Sequence, residues 1–407
     1  MPKQIVIAGA GHAAGQLVAT LKQQKYDGRI VLIGDESYLP YQRPPLSKKF
    51  LAGEMPAARL YVKPESFYDD PNITLKLDTR VDEIDRAAHM VSTDTGAAIH
   101  YDVLILATGS RVRKLPGSDS MPRGVHYLRT IDDVHAIRSE LETAGRIVIV
   151  GAGYIGLEVA AVARTLGLEV TVIEMADRVM SRVVSPEISE FYQRQHRAKG
   201  VVLELATGLA GFRSDATTGR VTGVATTDSR SIPADLVVVG VGIVPNTELA
   251  AEAGLLIDNG IVVDEFCRSS DPDIFAVGDC SSHPNSIYDR RVRLESVHNA
   301  LEQAKTAAIN ACGGHQTYTD VPWFWSDQYD LKLQIAGLSQ DYDHVVLRGN
   351  PDGRSFSCIY LREGVVIAID AINAPRDFTQ AKALIAARAK PGTARLADEK
   401  LQLKELI

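Results

Sequence analysis

Cysteine is scarce in this chain and late in it: there are four, Cys267, Cys280, Cys312 and Cys358, and none earlier. Their spacing excludes a CxxC redox pair and a zinc knuckle. Four are also too few for a disulfide scaffold, so reduced thiols in a soluble cytoplasmic protein are expected. Long hydrophobic runs are missing too. No stretch approaches about 18 uninterrupted apolar residues, which excludes a membrane-crossing helix, and the start, MPKQIVIAGAG, enters a strand at once and leaves no room for a signal peptide. Positive charge is in deficit. With 44 Lys and Arg against 51 Asp and Glu the net charge is −7, which argues against nucleic acid or an anionic membrane as the main partner. Aromatic residues make up only 6%, and both tryptophans fall in one phrase, PWFW, at 322–325.

What remains is 45% apolar and 23% charged with 32 glycines, over 407 residues. That is the composition of an α/β chain long enough for two to three domains, each with its own core. The run IVIAGAGHAAG at 5–15 returns almost unchanged as IVIVGAGYIG at 147–156. Around each copy the pattern is strand, glycine loop, helix, strand: KQIVIA, AAGQLVATLKQQ and RIVLIGD in the first, RIVIVGAG, YIGLEVAAVARTLG and LEVTVIE in the second. Further buried-strand candidates are YDVLILATGSR at 101–111, DLVVVGVGI at 235–243 and DIFAVGDC at 273–280, followed by a helix over about 295–312. From about 316 the texture changes to short strands with polar turns and a closing helix, FTQAKALIAARAK, which reads as a separate α+β domain.

A pyrophosphate carries two negative charges and seats on backbone N–H groups at a helix N-terminus, where the helix dipole favours an anion. Glycine permits that approach. Gly9 and Gly11 take the turn and close-approach positions of the first loop, with Ala14 in the third small position and Gly15 after it. Gly151, Gly153 and Gly156 complete GxGxxG in the second, around Tyr154 and Ile155. Asp35 and Glu174 each end the following strand, where a carboxylate accepts hydrogen bonds from ribose hydroxyls and repels a 2′-phosphate. Met175 and Ala176 follow Glu174 with no adjacent basic clamp, which favours NADH over NADPH. Arg178 and Arg182 lie near enough in sequence to keep the second reading open. Two dinucleotide sites in one chain suit one resident and one exchanging cofactor, FAD and NADH.

With these loops in place the sequence resembles the two-dinucleotide flavoprotein reductases. ATGSR at 107–111, DLVVVGVGIVPNTELA at 235–250 and SSDPDIFAVGDC at 269–280 match that group. Disulfide reductases of the group carry a CxxxxC pair near YQRPPLSKKF at 41–50, and its NADH oxidases carry one reactive cysteine. This chain has neither there, so reducing equivalents have no thiol exit. PYQRPPLSK, GYIGLE, RLESVHNALEQA at 293–304 and PWFWSDQYDLKLQIAGL at 322–338 are similar to the ferredoxin reductases that serve bacterial haem-thiolate monooxygenases and ring-hydroxylating dioxygenases. The resemblance implies an α/β fold with two Rossmann-like domains plus a C-terminal α+β domain. It places FAD on 1–111 and 235–315, NADH on 112–234 and the C-terminal domain on 316–407. It further implies hydride transfer from NADH to FAD and single electrons to a 2Fe-2S ferredoxin that feeds a terminal oxygenase.

By the same resemblance Lys48 faces the flavin with Glu158 opposite, Asp279 bonds a ribityl hydroxyl, and Ser296 and Val297 close the pyrimidine side. Trp325 packs on the flavin, Thr108 and Gly109 lie in the FAD loop, and Gly242 and Arg182 belong with NADH. A fixed ammonium suits the negative charge that hydride arrival adds to an isoalloxazine. Arg43 and Arg111 are candidate contacts for the flavin or pyrophosphate, and plainer readings stand beside all of these: a loop lysine, a surface glutamate, an N-capping Asp279, a core Trp323, and structural ion pairs for the two arginines. His298 reads as structural. Lys305, Arg290 and Arg293 are candidate contacts for an acidic ferredoxin. Three rivals share the plan: a rubredoxin reductase, an NADH:quinone oxidoreductase, and a redox-controlled binding flavoprotein. The C-terminal segment is broken by Pro391 and Gly392 and lacks an aromatic membrane anchor, which speaks against the second.

Overall fold

The computed structural model describes residues 3–117 and 120–407; the first two residues of the expected N-terminal strand entry lie outside them. Two compact units are present, one of residues up to Arg43 with Ala57–Arg111 and Val244–Pro322, the other of Pro44–Pro56, Val112–Ile243 and Trp323–Ile407.

The first unit is built on a five-stranded parallel sheet with the order Ile73–Lys76, Arg29–Ile33, Gln4–Ala8, Val103–Leu106 and Ile274–Ala276. Four of its strands carry apolar runs, as expected where both faces of a parallel sheet are covered, whereas the edge strand Ile73–Lys76 (ITLK) is partly exposed. On one face the cradle helix His12–Gln23 packs on the helix Val297–Ala311. Ala13, Ala14, Ala300, Ala304, Ala307 and Ala308 are buried in that core, and side chains this small let the two backbones come close. A three-stranded antiparallel sheet, Val81–Asp85, Met90–Thr93 and Ala98–His100, is inserted before the fourth strand in sheet order.

The second unit repeats the plan with Val202–Glu204, Glu169–Ile173, Arg146–Val150, Leu236–Val239 and Val125–Tyr127, again all parallel. It has its own three-stranded insertion, Leu209–Ser214, Val221–Thr226 and Ser231–Pro233. The duplication therefore extends past the loops to the sheet order. The boundary expected at 235 lies further on, at Val244, and Pro44–Pro56 groups with the second unit. Leu236–Val239, taken with the first cradle's domain, pairs with Ile147–Val150 instead. A short run of leucine and valine satisfies either sheet, and only its neighbour decides which.

The same unit holds a five-stranded antiparallel sheet in the order Trp323–Gln328, Leu331–Gly337, Val365–Ile372, Ser355–Arg362, His344–Asn350, with helix Pro375–Ala386 packed against it. Its first strand is the tryptophan phrase Trp323–Gln328, and the residues from 316 to Pro322, expected in the C-terminal domain, fall in the first unit. Among the described residues no helix is long and apolar enough to cross a membrane.

Candidate active site

Both cradles show why glycine stands where it does. Gly9 has φ +111°, and a Cβ there would lie 2.2 Å from the Ala107 carbonyl oxygen; Gly151 has φ +102° and would meet the Gly240 oxygen at 2.4 Å. At Gly156 a Cβ would lie 2.0 Å from the Gly151 oxygen, so helix and loop touch there. Gly15 is looser, with Pro40 and Val62 at 3.1 and 3.2 Å, and Ala14 is fully buried. Gly11 and Gly153 are different. Each is the N-cap of its helix, makes no side-chain capping bond, and faces open space where a Cβ would go. Two helix N-termini with uncapped N–H groups in front of open space fit the pyrophosphate of a dinucleotide.

The Glu174 carboxylate is pinned by backbone, accepting from the Ala152 N–H at 2.7 Å and the Ala176 N–H at 2.9 Å, at the end of its strand. Beside it Met175 is 80% exposed. Arg178 does not stand free to clamp a phosphate, because its guanidinium donates to Val184 O, Ser189 Oγ and Ser181 O. Arg182 is exposed, with a guanidinium nitrogen 3.8 Å from where a Cβ on Gly242 (φ +104°) would lie. In the first unit Asp35 is exposed at the end of its strand.

The remaining first-unit candidates are tied into a loop network. Thr108 donates to Asn246 O at 2.8 Å and its carbonyl accepts from Asn246 Nδ2 at 2.9 Å, while Gly109 turns with φ +62°. Arg43 pairs with Glu36 at 2.6 Å, and Arg111 forks onto Glu248 at 2.6 and 3.1 Å. Asp279 lies in the short turn Gly278–Cys280 and accepts from Ser110 Oγ at 2.7 Å. Ser296 is the N-cap of Val297–Ala311 and accepts from the Asn299 N–H. His298 stands 3.5 Å from Asp320. Of the docking candidates, Lys305 and Arg293 are paired with Glu302 and Glu295, and Arg290 is exposed.

The densest chemistry lies in the second unit. On the cradle helix Tyr154–Thr165, residues 154 and 158 share a face one turn apart, whereas Ile155 turns away and is 42% exposed. The strand Trp323–Gln328 alternates, with Phe324, Ser326 and Gln328 on one face and Trp323 and Trp325 on the other. Phe324 lies on Tyr154 with ring centroids 4.8 Å apart, and Ser326 Oγ donates to Glu158 Oε1 at 2.6 Å. Glu158 Oε2 takes the Lys48 ammonium at 2.7 Å and the Ser47 hydroxyl at 2.5 Å. Glu158 is 1% exposed; burial raises its pKa, while Lys48, Ser326 and Ser47 pull it back toward the charged form. On the opposite face the Trp323 and Trp325 rings lie 5.5 Å apart and, with Asp327 and Lys332, line an open pocket of ≈ 420 Å³.

Ser47, Ser326 and Asn246 went unnoticed in the sequence. Serine is too common to signal itself, although Ser47 adjoins Lys48. No thiol pair competes for the redox role: all four cysteines are free, and burial raises the thiol pKa of Cys267, Cys280 and Cys358.

Two open dinucleotide cradles, each on its own copy of a parallel sheet, define an FAD- and NAD(H)-dependent oxidoreductase. Residues 3–304 match the family model for pyridine nucleotide-disulphide oxidoreductases and 323–407 match the reductase C-terminal model, and the chain belongs to the pyridine nucleotide-disulphide oxidoreductase family. It is 45% identical over 402 residues to the 5,5′-dehydrodivanillate O-demethylase ferredoxin reductase subunit of Sphingobium sp. (strain NBRC 103272 / SYK-6), covering 98% of this chain and 97% of that one. With putidaredoxin reductase of Pseudomonas putida it shares 43% identity over 99% and 96% of the two chains. The crystal structure of the covalent putidaredoxin reductase–putidaredoxin complex matches with TM-score 0.96 at 42% identity, over 99% of this chain and 98% of that one.

Proposed function

We propose that this chain is the NADH-dependent ferredoxin reductase of a bacterial oxygenase system. It takes a hydride equivalent from NADH and delivers single electrons to a 2Fe-2S ferredoxin, which supplies a haem-thiolate monooxygenase or a ring-hydroxylating dioxygenase. The balance is one NADH and two oxidised ferredoxins to NAD⁺, one proton and two reduced ferredoxins. Bound FAD supplies the conversion between two-electron and one-electron chemistry.

The protein's own part is binding and electrostatics. The first cradle, from Gly9 to Gly15, holds the FAD pyrophosphate, with Asp35 on a ribose and Asp279 on the ribityl chain. Thr108, Gly109, Arg111, Arg43, Ser296, Val297 and Trp325 complete that site. The second, from Gly151 to Gly156, holds NADH, with Glu174 on the adenosine ribose and Arg182 and Gly242 alongside. Lys48, fixed by Glu158, presents positive charge to the isoalloxazine, where it compensates the charge that hydride arrival adds.

The observation that carries this reading is the Lys48–Glu158 pair at 2.7 Å in a chain whose cysteines are all free and begin only at Cys267. Free thiols and a pyridine nucleotide supply suit the cytoplasm. The test is an anaerobic titration with NADH followed by a 2Fe-2S ferredoxin, a rubredoxin or a quinone. Flavin absorbance bleached by NADH and restored fastest by the 2Fe-2S ferredoxin is expected, with the rate falling as salt rises through the Debye-screening range. Restoration fastest by rubredoxin or quinone assigns the other acceptor and overturns the ferredoxin reading.

A further inference from the structure

Glu158 is not held by its two nearest partners alone. Ser326 Oγ, which donates to Oε1, lies 3.2 Å from Gln328 Nε2, and Gln328 Oε1 lies 2.8 Å from His196 Nε2. Ser326, Gln328 and His196 are each 0% exposed. Ser326 and Gln328 sit two apart on one face of a strand, and His196 comes from the helix Pro186–Ala198. The proton positions follow from counting donors. An ionised carboxylate only accepts, so the single Ser326 proton points to Glu158; Ser326 must then accept, which turns the Gln328 amide NH₂ toward it. The amide oxygen therefore faces the imidazole, and His196 carries its proton on Nε2. Its Nδ1, the remaining acceptor, faces the Tyr329 hydroxyl at 3.4 Å. Burial lowers the pKa of His196, which favours the neutral ring whose Nδ1 can accept, against the opposing pull of the Gln328 bond.

We propose that Ser326, Gln328 and His196 form a one-directional chain of donors that holds Glu158 as a carboxylate and so fixes the Lys48 ammonium opposite it. They are positioning residues for the charge pair, and the inference rests on the reading of that pair given above. Each donor polarises the next toward the anion, and a chain of this kind is stronger than its separate bonds. Other groups around Glu158 do not replace it. Lys48 and Ser47 occupy Oε2. The phenols of Tyr154 and Tyr192 feel the Glu158 charge but have their pKa values raised by burial, and Asp370 and Asp327 face those phenols. On the His196 side, Lys199 and Arg164 lie about Tyr329.

The test is an infrared titration of the Glu158 carboxyl band in the FAD-loaded protein, assigned by its loss in Glu158→Gln. Ser326→Ala should raise the midpoint by about one pH unit and Gln328→Leu by roughly half as much. Ser326→Thr, which restores a hydroxyl and suits a strand, should return it to the wild-type value. Nitrogen NMR of the His196 ring should show the Nε2–H tautomer. A midpoint unmoved in both Ser326→Ala and Gln328→Leu, or the Nδ1–H tautomer, overturns the chain; retained flavin and melting temperature show that each variant is folded. If the midpoint moves while the pH profile of flavin reduction by NADH does not, the donor chain stands and the role assigned to Lys48–Glu158 falls.

Discussion

Changing Glu174 to Gln should loosen the discrimination between NADH and NADPH while keeping the bond to the Ala152 N–H that anchors the glycine loop. The amide oxygen still accepts from the Ala152 N–H, now 2.7 Å from a carboxylate oxygen, while the amide NH₂ cannot accept from the Ala176 N–H, so the glycine cradle keeps one of its two anchors. What disappears is one negative charge at the ribose. At about 5 Å and an effective dielectric of roughly 20–80, a carboxylate repels a 2′-phosphate of charge about −1.5 to −2 by about 1–7 kcal/mol. The carboxylate is only half-buried, so screening places the value toward the lower end, near ~2 kcal/mol. That corresponds to an increase of about 30-fold in the ratio of kcat/KM for NADPH over NADH. The variant should tolerate NADPH rather than prefer it, because Arg178 is held by three hydrogen bonds and cannot turn to the phosphate. The assay is steady-state ferredoxin reduction with each coenzyme. A ratio that moves less than about threefold, with flavin content intact, refutes the placement of Glu174 at the ribose.

The two glycines of the second cradle should separate fold from binding. Gly156→Ala forces a Cβ against the Gly151 carbonyl at 2.0 Å and should lower the melting temperature, whereas Gly153→Ala meets open space and should melt like wild type while binding NADH at least about tenfold more weakly. Lys48→Met leaves Glu158 buried without its cation and should slow flavin reduction by about ten- to a hundredfold in stopped-flow. Adding Glu158→Gln should then restore melting temperature, and a double variant no more stable than Lys48→Met argues against the charge penalty. Asp370 is fully buried, and burial raises its pKa to about 7 against the opposing donation of the Tyr360 hydroxyl. Its folded pKa lies above the unfolded one, so the folded state binds the proton more tightly and loses up to about 4 kcal/mol of stability as pH rises from about 4 to about 7. Asp370→Asn should flatten the fall in melting temperature between pH 5 and 8; parallel curves for the two proteins would sink this reading.

The sequence alone determined the two cradles. A strand, a glycine loop and a helix are fixed by neighbours within a few residues, and the turn sets the positive φ of Gly9 and Gly151, although the carbonyls that exclude a Cβ there belong to the distant Ala107 and Gly240. It also determined the acids that end the second strands and the lack of a cysteine near residues 41–50. Tertiary structure decided everything that depends on a distant partner. The run Leu236–Val239 suits either sheet by composition and takes its place only by pairing with Ile147–Val150. Arg43, Arg111 and Arg178 look alike as charges in a string, yet Glu36, Glu248 and the carbonyls of Ser181 and Val184 hold them in the fold. The phrase PWFWSDQ is one strand with two faces, tryptophans on one and Phe324, Ser326 and Gln328 on the other. Only packing on the helix that carries Tyr154 and Glu158 turns those polar residues into donors, because a buried carboxylate must find its hydrogen bonds wherever the chain returns to it.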